Sequence, residues 1–332
     1  MTDTPAGPGF GNRRGPKGPR AFLANPVIRL MLFFVGAGLF ALAVYAAWVG
    51  SSDGMRAFAR AAERPRELAA LIVLPLVCLG LASMSFWMLT LRFGRVGGFE
   101  MFALLGGAWL LNYLPLKPGV AGRVAYHKHV NEIDFRWSLV VVIQSIVVGL
   151  ACFGIQVTLA SIAAERAWSE WGRAALIASP LPLALLGLAL PRSGKLEHGW
   201  RYSAAFAFRY ADSLVWSVRY WLLFSVAGRP VGVGTASAIA GISQSASLIP
   251  IAGNGLGVRE WMVGLAARSL PEWYGKPGEM PIEFGVSAEL LNRACEVVVA
   301  VPVGLLSLWW LTRRLGRSRA AQSVAAAGSV PS

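Results

Sequence analysis

The chain has 332 residues, 55% of them hydrophobic and 14% charged, with a formal net charge of +14. Soluble domains carry about 45–50% apolar and about 25% charged residues, and disordered chains are poorer still in apolar side chains, so both classes are excluded. The basic residues flank apolar runs and form no single stripe, and no recognition motif accompanies them. The counter-charge they imply is an anionic lipid headgroup, not nucleic acid.

Residues 1–26 open the chain as a basic tail rich in Gly, Pro and Arg, with almost nothing to bury; they are expected to be disordered and cytoplasmic. The first apolar run is too extended for a cleaved signal peptide. Eight apolar segments follow, at about 27–49, 68–91, 99–116, 137–162, 171–190, 210–227, 231–251 and 284–311. About twenty helical residues span the roughly 30 Å hydrocarbon core, so the expected fold is an all-α, polytopic membrane bundle forming one domain over 27–312. Pro180 and Pro182 should kink the fifth segment. Residues 313–332 read as a second disordered tail. No stretch between segments is long enough for a separate soluble catalytic domain.

Arg13, Arg14, Lys17 and Arg20 precede the first segment, and Arg313, Arg314, Arg317 and Arg319 follow the last. Positive charge favours the cytoplasmic side, so both termini are placed there, in a bacterial inner membrane, with an even number of crossings. Eight simple crossings would put the basic joints 50–67, 117–136 and 191–209 outside. If segments three and seven instead enter and return, six crossings remain and two of those joints move to the cytoplasm. Opposed hairpins of that kind are what an inverted repeat produces. An offset of 135 sets Gly106 on Gly241, Asn112 on Ser247, Pro115 on Pro250 and Gly122 on Gly257.

The breaks in these segments carry the chemistry. Proline and glycine at bilayer depth free backbone groups that protein or a wet cavity must satisfy. In "SLIPIAGNGLGVRE", Pro250 and Gly253, then Gly255 and Gly257, precede an expected helix with Val258, Trp261, Met262, Leu265 and Ala266 on one face. A helix N-terminus with free N–H groups attracts anions, and Arg259 adds a full charge beside it. A glycine turn leading to an interfacial helix is the alternative. "NYLPLKPGVAGR" repeats the design with Asn112, Pro115, Gly122 and Arg123. His127 and His129 are two apart and face different ways, so they are interfacial residues and no metal pair.

Ionisable groups inside spans are costly and face a cavity or each other. Glu289, Arg293 and Glu296 share one face of the last segment, at spacings that let neighbours pair. Asp212 and Arg219 share a face of the sixth, with Arg209 a turn earlier. The three cysteines, Cys78, Cys152 and Cys295, lie far apart in apolar runs and have no ligand or redox spacing. No catalytic constellation, metal-ligand set or cofactor motif is legible.

These stretches resemble the lysylphosphatidylglycerol synthase transmembrane-region family, described as flippase-like integral membrane proteins, over roughly 27–312. The resemblance rests on Asn112 to Pro115 with Gly119, Gly122 and Arg123; on Pro250, Gly255, Gly257, Arg259 and Glu260; and on Arg293 with Pro302 and Gly304. Arg123 stands near where many relatives have an acidic residue, and Gln144 and Ser145 where they often have a charged pair. The soluble aminoacyl-transferase domain of the full synthases is missing. The resemblance therefore implies handling of membrane lipid, with transport or binding of an anionic phospholipid or polyprenyl-phosphate headgroup and no enzymatic step. A lipid-modifying transferase within the membrane, or a scaffold for a partner membrane enzyme, are the alternatives. Arg259, Glu260, Arg293, Glu296, Glu289, Arg123 and Asn112, with Gly255 and Gly257, are the expected headgroup-binding residues.

Overall fold

A computed structural model describes residues 26–49, 59–114, 118–165, 168–189, 199–248, 253–273 and 280–327. The expected N-terminal tail, Pro115, Lys117 and Pro250 lie outside the described residues. The helices are α1 (Pro26–Val49), α2 (Pro65–Thr90), α3 (Gly98–Leu111), α4 (Pro118–Val130), α5 (Phe135–Glu165), α6 (Glu170–Ala178), α7 (Pro180–Leu186), α8 (Gly199–Val226), α9 (Val233–Leu248), α10 (Val258–Trp273) and α11 (Ile282–Ala327). No strand occurs among the described residues.

Four helical stretches are long and apolar enough to cross a membrane: Pro65–Thr90, Phe135–Ala163, Glu170–Ala189 and Ile282–Arg317. Of the other expected segments, α3 with 14 residues and α9 with 16 are shorter. α8 has the length but carries Arg209, Asp212 and Arg219 along it.

Local chemistry sets the helix ends. Pro65, Pro118 and Pro180 each stand at the first helical position, where the missing N–H costs nothing. The fifth apolar segment breaks at Ser179, between α6 and Pro180, as its prolines require. The Ser169 hydroxyl accepts from the Gly172 amide at 3.2 Å and starts α6, while the Glu100 carboxylate reaches back to the Gly97 amide at 3.2 Å and starts α3. The C-terminal segment departs from expectation: α11 continues through 313–327 to Ala327, where a disordered tail was expected. Its Arg, Ala and Gln residues are strong helix formers, so the helix propagates past its apolar part.

Large apolar side chains cover the outside. Trp171 is 86% exposed, Leu186 71% and Leu306 66%. The charged side chains Arg219, Arg259, Glu260 and Glu289 are each exposed by 2% or less. That inversion fits an apolar solvent around the bundle. The main core joins α2, α8, α9, α10 and α11 through residues such as Leu71, Tyr220, Phe224, Ile239, Val263 and Phe284.

Two helical hairpins enter this bundle from opposite ends. At one end, Asn131 after α4 donates to the Glu100 carboxylate at the start of α3 (3.1 Å), and Arg314 of α11 pairs with the same carboxylate (3.0 Å). Arg92 donates to the Tyr202 hydroxyl (2.7 Å) and Arg201 to the Leu91 carbonyl (3.1 Å), so the end of α2 and the start of α8 belong there as well. This end gathers Arg92, Arg95, Lys128, Arg136, Arg313, Arg314 and Arg317 and is called the basic end. At the other end, Arg60 donates to the Ala227 carbonyl (2.9 Å), the Val233 amide donates to Glu170 (2.9 Å), and Arg229 lies over the Phe284 ring (5.4 Å). Thus α3 and α4 form a hairpin open at the basic end, and α9 and α10 one open at the opposite end.

The run α2–α3–α4–α5 recurs as α8–α9–α10–α11. Gly98 and Val233, which start α3 and α9, stand 135 residues apart. α2 packs on α8. α3 packs on α11, and its counterpart α9 packs on α5. At the matched crossings Gly106 faces Val303 and Ser307, while Gly241 faces Phe153 and Val157. Each glycine lets its helix approach where a methyl group would clash at under 3 Å.

Candidate functional site

The tips of the two hairpins meet in the middle of the bundle. The first tip runs from Asn112, which caps α3, through Tyr113 and Leu114 towards Pro118. The second passes through a 3-10 turn at Gly253–Gly255 before α10. Asn254, Gly255 and Gly257 have φ of 51°, 72° and 81°. Glycine adopts such φ without strain and asparagine is the side chain that tolerates it best, and a Cβ on Gly255 would also lie 3.1 Å from the Ser247 Cα. The alternating glycines therefore fold the chain tightly back against the end of α9.

Gly122 does not break its helix. It lies inside α4, and the interruption expected there falls earlier, between Asn112 and Pro118. In α10 the face expected to carry Val258, Trp261, Met262, Leu265 and Ala266 lies partly on the outside of the bundle. Met262 and Leu265 are exposed, whereas Arg259, Glu260, Val263 and Ala267 turn inward. In a bundle surrounded by lipid, the polar face is the one that must be buried.

Those inward charges form a closed network. The Arg259 guanidinium pairs with Glu289 (2.6 Å) and Glu296 (2.7 Å), and Arg219 of α8 pairs with Glu296 (3.1 Å). Tyr220 donates to Glu289 at 2.6 Å, and Asn292 donates to Glu289 and Glu296. Arg259 also donates to the Ser243 hydroxyl at 2.8 Å. Two guanidinium groups thus meet two carboxylates. The Trp216 ring lies beside both cations, 3.9 Å from the Arg219 guanidinium carbon and 4.9 Å from that of Arg259. Arg293 does not pair with its neighbours Glu289 and Glu296. It turns to Glu260 of α10 at 2.6 Å. Arg209 pairs with Asp212 at 2.7 Å.

A cavity of about 490 Å³ lies beside this network and between the hairpin tips. Asn112 and Arg123 line it from the first hairpin, and Gln244, Ser247, Asn254 and Arg259 from the second. Arg209, Asp212, Trp216 and Arg219 come from α8, and Glu296 from α11. The rest of the wall is apolar, with Leu79, Phe86, Leu105, Val142 and Ile146. Ile146 is 40% exposed and continues the exposed row Ile143, Val147 and Leu150 of α5, so the cavity opens on the apolar flank.

Among the residues that line this space, buried polar atoms of both kinds have no protein partner: the Arg219 Nε and one of its terminal nitrogens, the Arg209 Nε and the Gln244 Nε2 as donors, and the Asn112 Oδ1 and Asp212 Oδ1 as acceptors. Arg123 differs from every other cation at the site. It is 8% exposed, stacks on the Phe86 ring at 4.3 Å, and has no carboxylate within ion-pair distance among the described residues. The paired arginines balance their acids, so Arg123 leaves the cavity with one uncompensated positive charge.

Of the expected binding residues, Arg259, Glu296, Arg123 and Asn112 line the cavity. Gly255 and Gly257 shape the tip behind it. Glu289, Glu260 and Arg293 stand further back and act as counter-charges. Tyr220, Ser243, Gln244 and Asn292 were missed. Asn292 falls one turn after Glu289 on the face already singled out, and Ser243 and Gln244 stand in the polar run 243–245 of α9; both signals were legible. Tyr220 shares its helix with Arg219 but gives no signal of its own. Of the two histidines, His127 is buried, with its Nδ1 3.1 Å from Asn131, and His129 is exposed. No group of residues able to hold a metal ion occurs among the described residues. Comparisons with protein-family models, with curated proteins and with solved structures returned no match.

Proposed function

We propose that this chain binds the phosphate-bearing headgroup of an anionic lipid, a phospholipid or a polyprenyl phosphate, and carries it through the bundle without altering it covalently. The observation that carries this reading is Arg123, a buried cation with no carboxylate partner among the described residues, lining a cavity that has polar side chains of α8 and α9 on one wall and hydrocarbon on the other. An uncompensated buried charge is costly, and a protein retains one where a ligand supplies the opposite charge. The apolar wall and the mouth beside Ile146 suit the attached chains. The family resemblance of the two hairpin motifs points to the same chemistry.

In this reading the bundle lies in the inner membrane with its basic end in the cytoplasm, which places both termini there. Six spans cross: α1, α2, α5, α6 with α7, α8 and α11. The hairpins re-enter. α3 has 14 residues and α9 has 16, or about 21 and 24 Å at ~1.5 Å per residue, short of a ~30 Å core. Their opposed entry and the recurring four-helix run support an inverted repeat.

Arg123→Met tests the reading. Affinity for phosphatidylglycerol should fall about 10- to 100-fold, the equivalent of one or two charge-assisted hydrogen bonds. Because no carboxylate is orphaned, thermal stability should hold or rise. Native mass spectrometry and thermal scanning of the purified protein read both quantities. Undiminished lipid retention by a folded Arg123→Met variant would refute the proposal. A lipid of altered mass after incubation would favour a transferase instead.

A further inference from the structure

A second cavity, of about 370 Å³, lies between α3, α4 and the basic-end portion of α11. Two residues, Arg123 and Ala108, line both this cavity and the central one. Arg123 therefore stands where the two spaces adjoin. The outer part of the second cavity carries His129 and Thr312, both exposed, with Lys128 and Arg313 next to them in the chain. Leu308 and Leu311 form an apolar side. Gly122 lines this cavity and not the central one, and a Cβ built there would meet nothing within 4 Å.

The two openings differ in what they can pass. The mouth beside Ile146 lies on an apolar flank, where a bare phosphate would have to leave water for hydrocarbon. The second cavity opens at the basic end, where cations already attract anionic headgroups. A phosphate entering there meets polar rim groups first and Arg123 last. We infer that the second cavity is the headgroup entrance from the leaflet at the basic end, leading a phospholipid phosphate to Arg123, while the acyl chains stay on the apolar side. This inference rests on the reading of Arg123 as the phosphate-binding cation.

The test uses the full chain in detergent loaded with phosphatidylglycerol and chased with its deuterated form, with exchange followed by native mass spectrometry. Gly122→Leu fills the second cavity from a helix position where the change favours the helix. It should leave the amount of bound lipid unchanged and slow exchange by roughly tenfold or more. Exchange at the wild-type rate, with the lipid still bound, would overturn the inference. If the leucine variant does not fold, Gly122→Ala decides: slower exchange supports the entrance and unchanged exchange overturns it. Arg123→Met serves as a separate arm. Retained lipid in that variant would sink the underlying reading, whatever Gly122→Leu does. A chase with inorganic phosphate that releases the lipid as fast as phosphatidylglycerol would show that the cavity takes a free anion, which also overturns the assignment.

Discussion

The pair formed by Arg293 and Glu260 allows a clean test of which charges are structural. Both side chains are buried, at 4% and 0% exposure, and meet at 2.6 Å. The Arg293 guanidinium also donates to the Asn254 carbonyl, at 3.4–3.5 Å. Arg293→Gln leaves the Glu260 carboxylate buried without its cation, and Glu260→Gln strands Arg293. Removing one partner of a buried pair costs about 3–5 kcal/mol. The double variant strands neither and keeps side chains of similar size, so it should recover most of that loss. The coupling energy, the sum of the two single losses less the small loss of the double variant, should then exceed about 5 kcal/mol, well outside the few tenths found between independent sites. Equilibrium unfolding of the four proteins in one detergent measures it. If Arg293→Gln is as stable as wild type, or if the double variant loses the sum of the single losses, the pair is not the structural tie described here. A large loss of lipid binding by a stable Arg293→Gln protein would move Arg293 into the binding site.

Three further outcomes follow from the same geometry. Glu296→Gln deprives Arg219 and Arg259 of their shared carboxylate and should destabilise the protein by about 3–5 kcal/mol in the same unfolding measurement, since Arg259 then keeps Glu289 while Arg219 loses its ion pair. Gly255→Ala should cost about 1–2 kcal/mol or more, because φ is 72° and the new Cβ lies 3.1 Å from the Ser247 Cα; a neutral result would mean the tip is looser than described. Single cysteines at Lys128 and Gly316 should react with an impermeant thiol reagent from one side of sealed vesicles, and cysteines at Glu63 and Glu170 from the other. Labelling of Lys128 and Gly316 from opposite sides would refute the shared end.

Much of the fold was legible because membrane helices announce themselves by length and apolarity. The segments at 27–49, 68–91 and 137–162 lie on α1, α2 and α5 within a few residues. The start of α8 was not legible. Residues 199–209 contain Arg201 and Arg209, and a run read by hydropathy alone begins only at 210; the structure satisfies Arg201 with the Leu91 carbonyl and Arg209 with Asp212, so the helix extends further. Spacing identified Glu289, Arg293 and Glu296 as one set, but helical neighbours need not choose each other. Arg293 takes Glu260 from another helix, a choice fixed by tertiary packing that one sequence cannot display. Arg123 was noted in the sequence, yet its lack of a partner emerges only once the surrounding helices are in place.

The recurring four-helix run explains why one side of the cavity is charged and the other greasy. The matched crossings of α5 and α11 set Phe153 against Val303 and Val157 against Ser307, a separation of 150 residues. At that separation Glu289, Asn292 and Glu296 of α11 correspond to Leu139, Val142 and Ile146 of α5. Likewise Arg259 of α10, at a separation of 135, corresponds to Val124 of α4. The second run thus places ionic groups where the first places aliphatic ones. Val142 and Ile146 line the central cavity together with Glu296 and Arg259, so a ligand bound at Arg123 of the first run meets hydrocarbon from that run and further polar groups from the second. An amphiphile is the kind of molecule that such a divided cavity accommodates. Making the walls alike should abolish that preference: Ile146→Glu would bring an acid to the apolar mouth and is expected to weaken phosphatidylglycerol binding by about tenfold or more through like-charge repulsion. Unchanged retention of the lipid by a folded Ile146→Glu protein would show that this mouth does not face the bound molecule.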